Sequence, residues 1–269
     1  MTADPLDVFR LDDQVAVITG AGNGIGAATA ELFASVGASV VLGDIDEVAA
    51  RRTADRVVAA GGHAVERWVN TADQGSVTAL VDTATATFGR LDIVCNVAGV
   101  ASSGLIVEVT ESELDRVMGI NLKGVFFGTQ AALRTLMAQG EGGCILNVSS
   151  TGMDFSALAH CVYHMTKAAV VSITQHAATE GAEHGIRANA IGPGSTLSNF
   201  TERHRYDADG REVPGKYEAA IEFLTATVPL KRMGEPIDQA WMLLYLASPA
   251  GRYVTGQFLR ANGGVSMRF

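Results

Sequence analysis

Seven short runs of apolar, mostly β-branched residues recur along the chain. Near-continuous hydrophobicity of this kind is typical of parallel strands that are buried on both faces. The sequence therefore predicts a buried parallel sheet. Its predicted strands are Val15–Thr19, Ser39–Leu42, Ala64–Val69, Ile93–Val94, Cys144–Val148, Ile186–Ile191 and Gln257–Arg260.

Helical patterns fill the intervals between these runs. Strand–helix alternation implies βαβ units with right-handed crossovers. We expect an α/β fold of the Rossmann type, with a doubly wound, seven-stranded parallel sheet and helices on both faces. No repeat or linker divides the chain, so residues 1–269 are predicted to form one domain. The predicted helices lie at about 24–36, 46–60, 74–88, 111–139, 155–183 and 235–247.

One polar segment interrupts the alternation, at about 198–230. Asp207–Gly210 and Val213–Gly215 have the composition of turns. A long polar insertion in a compact domain is usually a functional lid or a disordered loop. We predict a lid that contacts the substrate, and the disordered loop remains the alternative.

Composition and charge exclude several classes of function. A hydrophobic content of 48% allows a large core, and the net charge of −9 argues against a nucleic-acid surface. No apolar run approaches the roughly 18 residues of a membrane span. The N-terminal residues lack the apolar core of a signal peptide. Three cysteines without a C-x-x-C pair favour a reduced, cytoplasmic location.

A glycine-rich turn joins the first predicted strand to the first predicted helix. Its residues are Gly20, Gly22, Asn23, Gly24, Ile25 and Gly26. Glycines allow the backbone to approach a pyrophosphate, and the helix N-terminus supplies N–H groups and a positive dipole. A glycine cluster alone is weak evidence for a dinucleotide site, but the position of this one between a strand and a helix favours such a site.

An acidic residue, Asp44, ends the second predicted strand. A carboxylate here can accept hydrogen bonds from both ribose hydroxyls of NAD and would repel the 2′-phosphate of NADP. No Lys or Arg lies in the glycine turn, where Asn23 occupies the candidate position. Asp44 could instead cap the next helix, but Asp46 is the better capping candidate. NAD is therefore the expected cofactor.

Tyr163 and Lys167 are spaced i and i+4 within a predicted helix, which places both side chains on one face. A tyrosine with its ordinary pKa of ~10 is a poor base at neutral pH. A nearby ammonium favours the phenolate, so we expect Lys167 to lower the pKa of Tyr163. A chance pair is the alternative.

Together these motifs resemble the short-chain dehydrogenase/reductase family, in its compact single-domain branch, from Leu11 to about Ser266. The markers occur in the family's order. They are T-G-x3-G-x-G at Thr19–Gly26, Asp44, Asn96-Val97-Ala98-Gly99, Asn121, Ser149-Ser150, Tyr163-x3-Lys167, Pro193-Gly194 and Thr255-Gly256.

The resemblance implies catalytic roles for four residues. Ser150 is similar to the serine that hydrogen-bonds the substrate oxygen, with Ser149 a weaker candidate. Tyr163 is similar to the acid/base, and Lys167 to the lysine that lowers its pKa and binds the nicotinamide ribose. Asn121 resembles the asparagine that holds a water between Lys167 and solvent.

The resemblance also implies a set of cofactor contacts beyond the glycine turn and Asp44. Two members depart from the family pattern, since Asn70 replaces an aspartate and Ser198 replaces a threonine. The stretch Pro193–Thr196 would pack on the nicotinamide, although a plain strand-end turn is the alternative. The additional cofactor contacts are Asn70, Asn96, Ala98, Gly99, Tyr163, Lys167, Pro193, Gly194, Thr196 and Ser198.

Histidines near Tyr163 suggest part of the substrate pocket. His160 lies one turn before Tyr163, and Met153 follows Ser150 closely; we expect both to contact substrate, and Asp154 and Phe155 are further candidates. His160 and His164 are spaced i and i+4 but lack an acidic third ligand, so no metal is expected.

The predicted activity is hydride transfer between NAD and a secondary alcohol or ketone. A hydrophobic or cyclic alcohol, as in hydroxysteroid dehydrogenases, is favoured. The alternative is a 3-oxoacyl-thioester reductase, although the acidic surface offers no docking patch for an acidic carrier protein. A non-catalytic NAD-binding regulator is an alternative of another class. The family resemblance implies a homotetramer, formed through the helices at about 111–139 and 155–183 and the C-terminal strand.

Overall fold

A seven-stranded parallel sheet forms the centre of the chain. The computed structural model describes residues 4–207 and 210–268. The strand order is β3-β2-β1-β4-β5-β6-β7, and each adjacent pair is parallel. The predicted fold class is confirmed. The strands are β1 Val15–Thr19, β2 Ser39–Asp44, β3 His63–Trp68, β4 Ile93–Asn96, β5 Gly143–Val148, β6 Ile186–Ile191 and β7 Phe258–Leu259.

Nine α-helices occur within the described residues. They are α1 Gly24–Ser35, α2 Glu47–Ala59, α3 Gln74–Phe88, α4 Glu111–Val117, α5 Gly124–Gln139, α6 Cys161–Gly181, α7 Asn199–Glu202, α8 Lys216–Thr227 and α9 Pro236–Ala247. None of the described helices combines the length and apolar character needed to cross a bilayer.

Two predicted helices differ from the observed ones. The helix predicted over 111–139 is divided by a π-helical segment, Met118–Lys123, between α4 and α5. The helix predicted from residue 155 begins only at Cys161. Thr151–Asp154 forms a separate 3₁₀ turn capped by Ser150, and Ala159 has a positive φ of 64° that no helix interior allows.

Both faces of the sheet are covered by buried side chains. Adjacent strand residues point to opposite faces, so Ile18 and Leu146 belong to one core and Val17 and Ile145 to the other. The first core packs against α1, α2 and α9, the second against α3, α5 and α6. Each fully buried large side chain contributes about 1.5–3 kcal/mol. The central strands are thus a rigid frame for the loops at their ends.

The polar segment at 198–230 has regular structure over most of its length. It contains α7 and α8, and an antiparallel bridge pairs Tyr206 with Glu212 between them. Residues 208–209 lie outside the described residues. The described part is therefore not an irregular loop, and the lid interpretation stays a prediction.

Candidate active site

The carboxyl ends of β1, β4, β5 and β6 meet at one edge of the sheet. The strand order reverses between β1 and β4, with β2 on one side and β5 on the other. In open parallel sheets the crevice at such a switch point is the usual ligand site. The glycine turn and the residues that follow β4, β5 and β6 all lie at this edge.

The glycine turn forms a tight backbone cradle before α1. Gly20 has a φ of 68°, and a Cβ there would lie 2.9 Å from the Ala98 nitrogen. A Cβ on Gly26 would lie 2.1 Å from the Gly20 carbonyl oxygen. Thr19 Oγ1 accepts from the N–H groups of Val97 and Ala98, at 3.1 and 3.2 Å. There is thus no room for a side chain on Gly20 or Gly26, at the place where a pyrophosphate would approach the N-terminus of α1. The glycine turn therefore fits a dinucleotide.

Asp44 lies directly beside this cradle. Its Oδ2 accepts from the Gly22 N–H at 2.8 Å and its Oδ1 from the Asp46 N–H at 2.9 Å. Asp46 caps α2 by accepting from the Ala49 N–H at 3.0 Å. The predicted cap at Asp46 is confirmed, and the half-buried carboxylate of Asp44 faces the glycine turn.

Ser150 and Tyr163, the predicted substrate-binding serine and acid/base, are neighbours in the structure. Ser150 Oγ accepts from the Gly152 N–H at 3.0 Å, and the Ser150 side chain lies close enough to Tyr163 to oppose the rise in the pKa of Tyr163. Ser149 Oγ instead donates to the Lys167 carbonyl oxygen at 2.7 Å and is buried. The Ser149 hydroxyl therefore has a partner within the protein, and contact of Ser150 with a substrate oxygen stays a prediction.

Lys167 is buried beside Tyr163. Its Nζ donates to the Val148 carbonyl oxygen at 2.8 Å and lies 5.8 Å from the Tyr163 ring centroid. Burial lowers the pKa of Lys167 to about 8. The side chain therefore remains largely protonated at neutral pH, with two N–H groups beyond the one that binds Val148.

The pKa of Tyr163 differs from the sequence-based expectation. Burial raises the pKa of Tyr163, and the opposing contributions come from the hydrogen bond with Ser150 and the positive charge of Arg203. Desolvation of the phenolate therefore outweighs both of these contributions. Lys167 Nζ lies 5.8 Å from the Tyr163 ring centroid, and the expected stabilisation of the Tyr163 phenolate by Lys167 stays a prediction.

The side chain of Asn121 is committed to the backbone of Val100. Its Oδ1 accepts from the Val100 N–H at 2.8 Å, and its Nδ2 donates to the Val100 carbonyl oxygen at 2.9 Å. It lies in the π-helical segment and is fully buried. Asn121 thus fixes the chain next to Gly99, where a Cβ would lie 3.3 Å from Lys167 Nζ.

Two predicted cofactor contacts have internal partners. Asn96 is buried, and its Nδ2 donates to Asn147 Oδ1 at 2.8 Å; Asn147 in turn donates to Thr174. The Asn96 side chain therefore supports the end of β4, and contact between Asn96 and a cofactor stays a prediction. Asn70 Oδ1 accepts from the Ala72 N–H at 3.1 Å and so closes the turn after β3.

The loop after β6 is tied to the serine loop and to the glycine turn. The Pro193 carbonyl oxygen accepts from both the N–H and the hydroxyl of Thr151, at 3.1 and 3.0 Å. Thr196 Oγ1 donates to the Gly194 carbonyl oxygen at 3.1 Å. Ser198 caps α7, and its Cβ lies 3.1 Å from where a Cβ on Gly24 would stand. The 198–230 segment thus begins at the cofactor groove.

Aromatic and histidine side chains surround Tyr163. The ring centroids of His164 and Phe200 lie 5.9 and 5.7 Å from that of Tyr163, and His160 lies 5.8 Å from His164. Met153, in the 3₁₀ turn after Ser150, is half-buried. Within residues 4–207 and 210–268, no three His, Cys, Asp or Glu side chains are grouped to hold a metal ion.

Sequence reasoning missed Phe200 and Arg203. Phe200 contacts Tyr163, and the Arg203 guanidinium carbon lies 4.4 Å from the Phe200 ring centroid. Both belong to the 198–230 segment, whose polar sequence does not indicate where a helix begins or which side chains face the site. The capping signal Ser198-x-x-Thr201 could have placed α7 and so brought Phe200 and Arg203 into consideration.

Asp154 is structural, although it was a candidate for contact with substrate. Its carboxylate accepts from Arg260 Nε and Nη2 at 2.7 and 2.8 Å and from Ser266 Oγ at 2.5 Å. The hydrogen bond from Arg260 holds the pKa of Asp154 below its ordinary value. Asp154 thereby ties the turn after Ser150 to the C-terminal segment.

Replacing Asp154 with asparagine should destabilise the protein in a pH-dependent way. The native carboxylate contributes stability above its ordinary pKa, and this contribution is lost as pH falls through the lowered native pKa. We expect the substitution to lower the free energy of unfolding by about 2–3 kcal/mol at pH 7, and this loss should become smaller below about pH 4. Urea unfolding at pH 7 and pH 3 measures this loss of stability.

Asp12→Asn is the control, because Asp12 forms an exposed ion pair with Arg10. The free energy of unfolding of Asp12→Asn should differ little from that of the wild type at either pH. An equal loss of stability for Asp154→Asn at both pH values would contradict the expectation.

The fold and the site define a class of protein, a Rossmann-type oxidoreductase with a serine, a tyrosine and a lysine beside a dinucleotide cradle. A family model described as enoyl-(acyl carrier protein) reductase matches residues 20–266. The chain belongs to the short-chain dehydrogenase/reductase family. Members of this family use NAD or NADP.

Relatives match this chain over nearly its full length. A short chain dehydrogenase of Emericella nidulans is 36% identical, with 99% of this chain and 100% of that protein covered. Momilactone A synthase of Oryza sativa subsp. japonica is 38% identical, with 97% and 93% covered. The crystal structure of a short-chain type dehydrogenase/reductase from Mycobacterium marinum is similar with a TM-score of 0.89 and 32% identity, over 98% of this chain and 99% of that one.

Proposed function

We propose that the protein is an NAD-dependent oxidoreductase that interconverts a secondary alcohol and a ketone. The observation that carries this proposal is the placement of Ser150, Tyr163 and Lys167 together beside the glycine turn. A hydrophobic or cyclic alcohol is the favoured substrate class, because Tyr163 is flanked by the Phe200 ring. The 3-oxoacyl-thioester reductase remains the alternative.

The choice of NAD over NADP is supported by Asp44. Its carboxylate faces the glycine turn at 2.8 Å from the Gly22 nitrogen, and the neighbouring Asn23 carries no charge. A 2′-phosphate placed here would meet a negative charge without a cation to balance it, whereas two ribose hydroxyls could donate to the carboxylate.

Each catalytic side chain has a specific task in alcohol oxidation. The bound nicotinamide would supply the hydride acceptor. The Ser150 hydroxyl holds the substrate oxygen, and the Tyr163 phenolate oxygen takes the hydroxyl proton. The Lys167 ammonium stabilises that phenolate and passes a proton outward. Asn121, whose side chain holds both the N–H and the carbonyl oxygen of Val100, would bind the water that links Lys167 to solvent.

A screen for NADH formation tests this proposal. The screen should include secondary alcohols, sterols, cyclic diols and 3-hydroxyacyl thioesters, each with NAD and with NADP. We expect turnover of a secondary or cyclic alcohol with NAD. A flat result with retained NADH binding would favour a non-catalytic NAD-binding protein instead.

We also propose a homotetramer, formed through α4, α5 and α6. Large apolar side chains are exposed on two of these helices, with Phe126 on α5 49% exposed and Met165 on α6 45% exposed. Such side chains are typical of surfaces that a partner covers. Sedimentation velocity at micromolar protein should give the mass of four chains, and a monomer would contradict the proposal.

A further inference from the structure

Five basic side chains from the start of α6 and the 198–230 segment form a group near Tyr163, and we call this group the basic rim. His160 and His164 come from the start of α6, whereas Arg203, His204 and Lys216 come from the 198–230 segment. The electrostatic neighbours of His204 are Arg203, Lys216 and His160, which together with burial lower the pKa of His204. His160 also lies 5.8 Å from His164, measured between ring centroids, so each of the five side chains is near at least one other member.

The basic rim lacks acidic partners in the described part of the chain. None of the ion pairs between residues of 4–207 and 210–268 includes a member of the rim. The charged and titratable groups that act on Arg203, His164 and His204 are Tyr163 and other rim members, and no carboxylate is among them. Among the described residues, this cluster of basic side chains without a carboxylate contrasts with the net charge of −9 of the whole chain.

Arg203 is the rim member best placed to contact a substrate. Its guanidinium carbon lies 4.4 Å from the Phe200 ring centroid, and Phe200 lies 5.7 Å from the Tyr163 ring. Its one hydrogen bond within the described residues joins Nη1 to the Phe200 carbonyl oxygen at 3.2 Å. The remaining N–H groups of its planar fork match the geometry of a carboxylate or phosphate.

We propose that Arg203 determines specificity by binding an anionic group, a carboxylate or a phosphate, at the far end of the substrate. This inference rests on the proposed function and narrows its substrate class. The carbinol carbon lies at Ser150 and Tyr163, and the anionic group lies beyond the Phe200 ring. The substrate thus has an apolar middle that packs on Phe200 and a charged end that meets the basic rim.

A purely structural role for Arg203 makes a different prediction. Stacking on Phe200 and bonding its carbonyl oxygen would stabilise α7 equally, whatever the charge of the substrate. Arg205, two residues along, offers a matched control. It pairs with Glu202 and Glu212 and stacks on Tyr217 at 4.1 Å, so its charge is already balanced.

Matched pairs of probe substrates test the proposal. The first pair is 4-hydroxycyclohexanecarboxylate and its methyl ester, and the second is cyclohexane-1,4-diol monophosphate and the free diol. We expect the wild-type protein to prefer the anionic member of at least one pair. Arg203→Met should lower kcat/KM for that member by about 10–100-fold, chiefly through KM, because a hydrogen bond to a charged group is lost. In Arg203→Met, kcat/KM for the neutral members should change less than about twofold. Arg205→Met should leave kcat/KM unchanged for both the anionic and the neutral members.

Binding measurements separate this proposal from the proposed function. Calorimetric titration of the protein–NADH complex with the same four probes does not depend on turnover. If an anionic probe binds the wild type better than Arg203→Met, anion binding by Arg203 is supported even when no probe is oxidised, and a flat result in the wider alcohol screen then counts against the proposed function alone. Equal or undetectable binding of charged and neutral probes by the wild type overturns the inference, as does an equal loss for both members in Arg203→Met. The first pair tests carboxylate and the second tests phosphate.

Discussion

Replacing Tyr163 with phenylalanine should lower kcat for alcohol oxidation by about 10²–10⁴-fold, because the variant has no group to take the hydroxyl proton. The substitution removes one oxygen and keeps the ring that packs between His164 and Phe200. NAD binding should remain close to wild type, since the glycine turn and Asp44 are untouched. Steady-state NADH formation and titration of NADH fluorescence measure the two effects separately.

Tyr253 provides the control for this substitution. Its side chain is fully exposed, so Tyr253→Phe should leave both activity and cofactor binding unchanged. Turnover by Tyr163→Phe at the wild-type rate would remove Tyr163 from the mechanism. Loss of NADH binding in the same variant would show that the ring has a structural role beyond proton transfer.

Replacing Asp44 with alanine should reverse or abolish the preference for NAD. We expect kcat/KM with NAD to fall by about 10–100-fold, since hydrogen bonds from the ribose to a charged acceptor are lost. Activity with NADP should rise at the same time, because the negative charge that opposes a 2′-phosphate is gone. The ratio of kcat/KM for the two cofactors measures the effect.

Asp46→Ala is the matched control for Asp44→Ala. Asp46 caps α2, and loss of the cap should cost about 1 kcal/mol of stability. Because its carboxylate accepts from Ala49 rather than from the glycine turn, the cofactor ratio should not change. Equal use of NAD and NADP by the wild-type protein would contradict the role of Asp44.

Much of the fold could be predicted because its signals are local. A buried parallel strand must be apolar on both faces, so β1 and β5 are recognisable as runs in the sequence. The strand–turn–helix at Thr19–Gly26 is likewise local, since the glycines are required by contacts within the turn itself. The division of α4 from α5 was missed because a π-helical segment has no distinct periodicity in the sequence.

Parts of the site depend on contacts between distant residues. Its closeness to Ser150 in the sequence made Asp154 a candidate pocket residue, but Arg260, far along the chain, neutralises its carboxylate, and Ser266 donates a hydrogen bond to it. Asn96 belonged to the family's cofactor motif, yet its side chain turns inward to Asn147. Neither partner could be identified from spacing, because the pairings cross between elements of the sheet.

The sequence by itself determined the sheet class, the glycine cradle, the acid at Asp44 and the Tyr163–Lys167 spacing, because each is a short-range pattern imposed by backbone geometry. Only the tertiary structure decided the electrostatics of the site. Burial raises the pKa of Tyr163 and lowers that of Lys167 to about 8, and Arg203 reaches the site through Phe200. Desolvation and long-range charge depend on how the whole chain packs, and no local pattern encodes them.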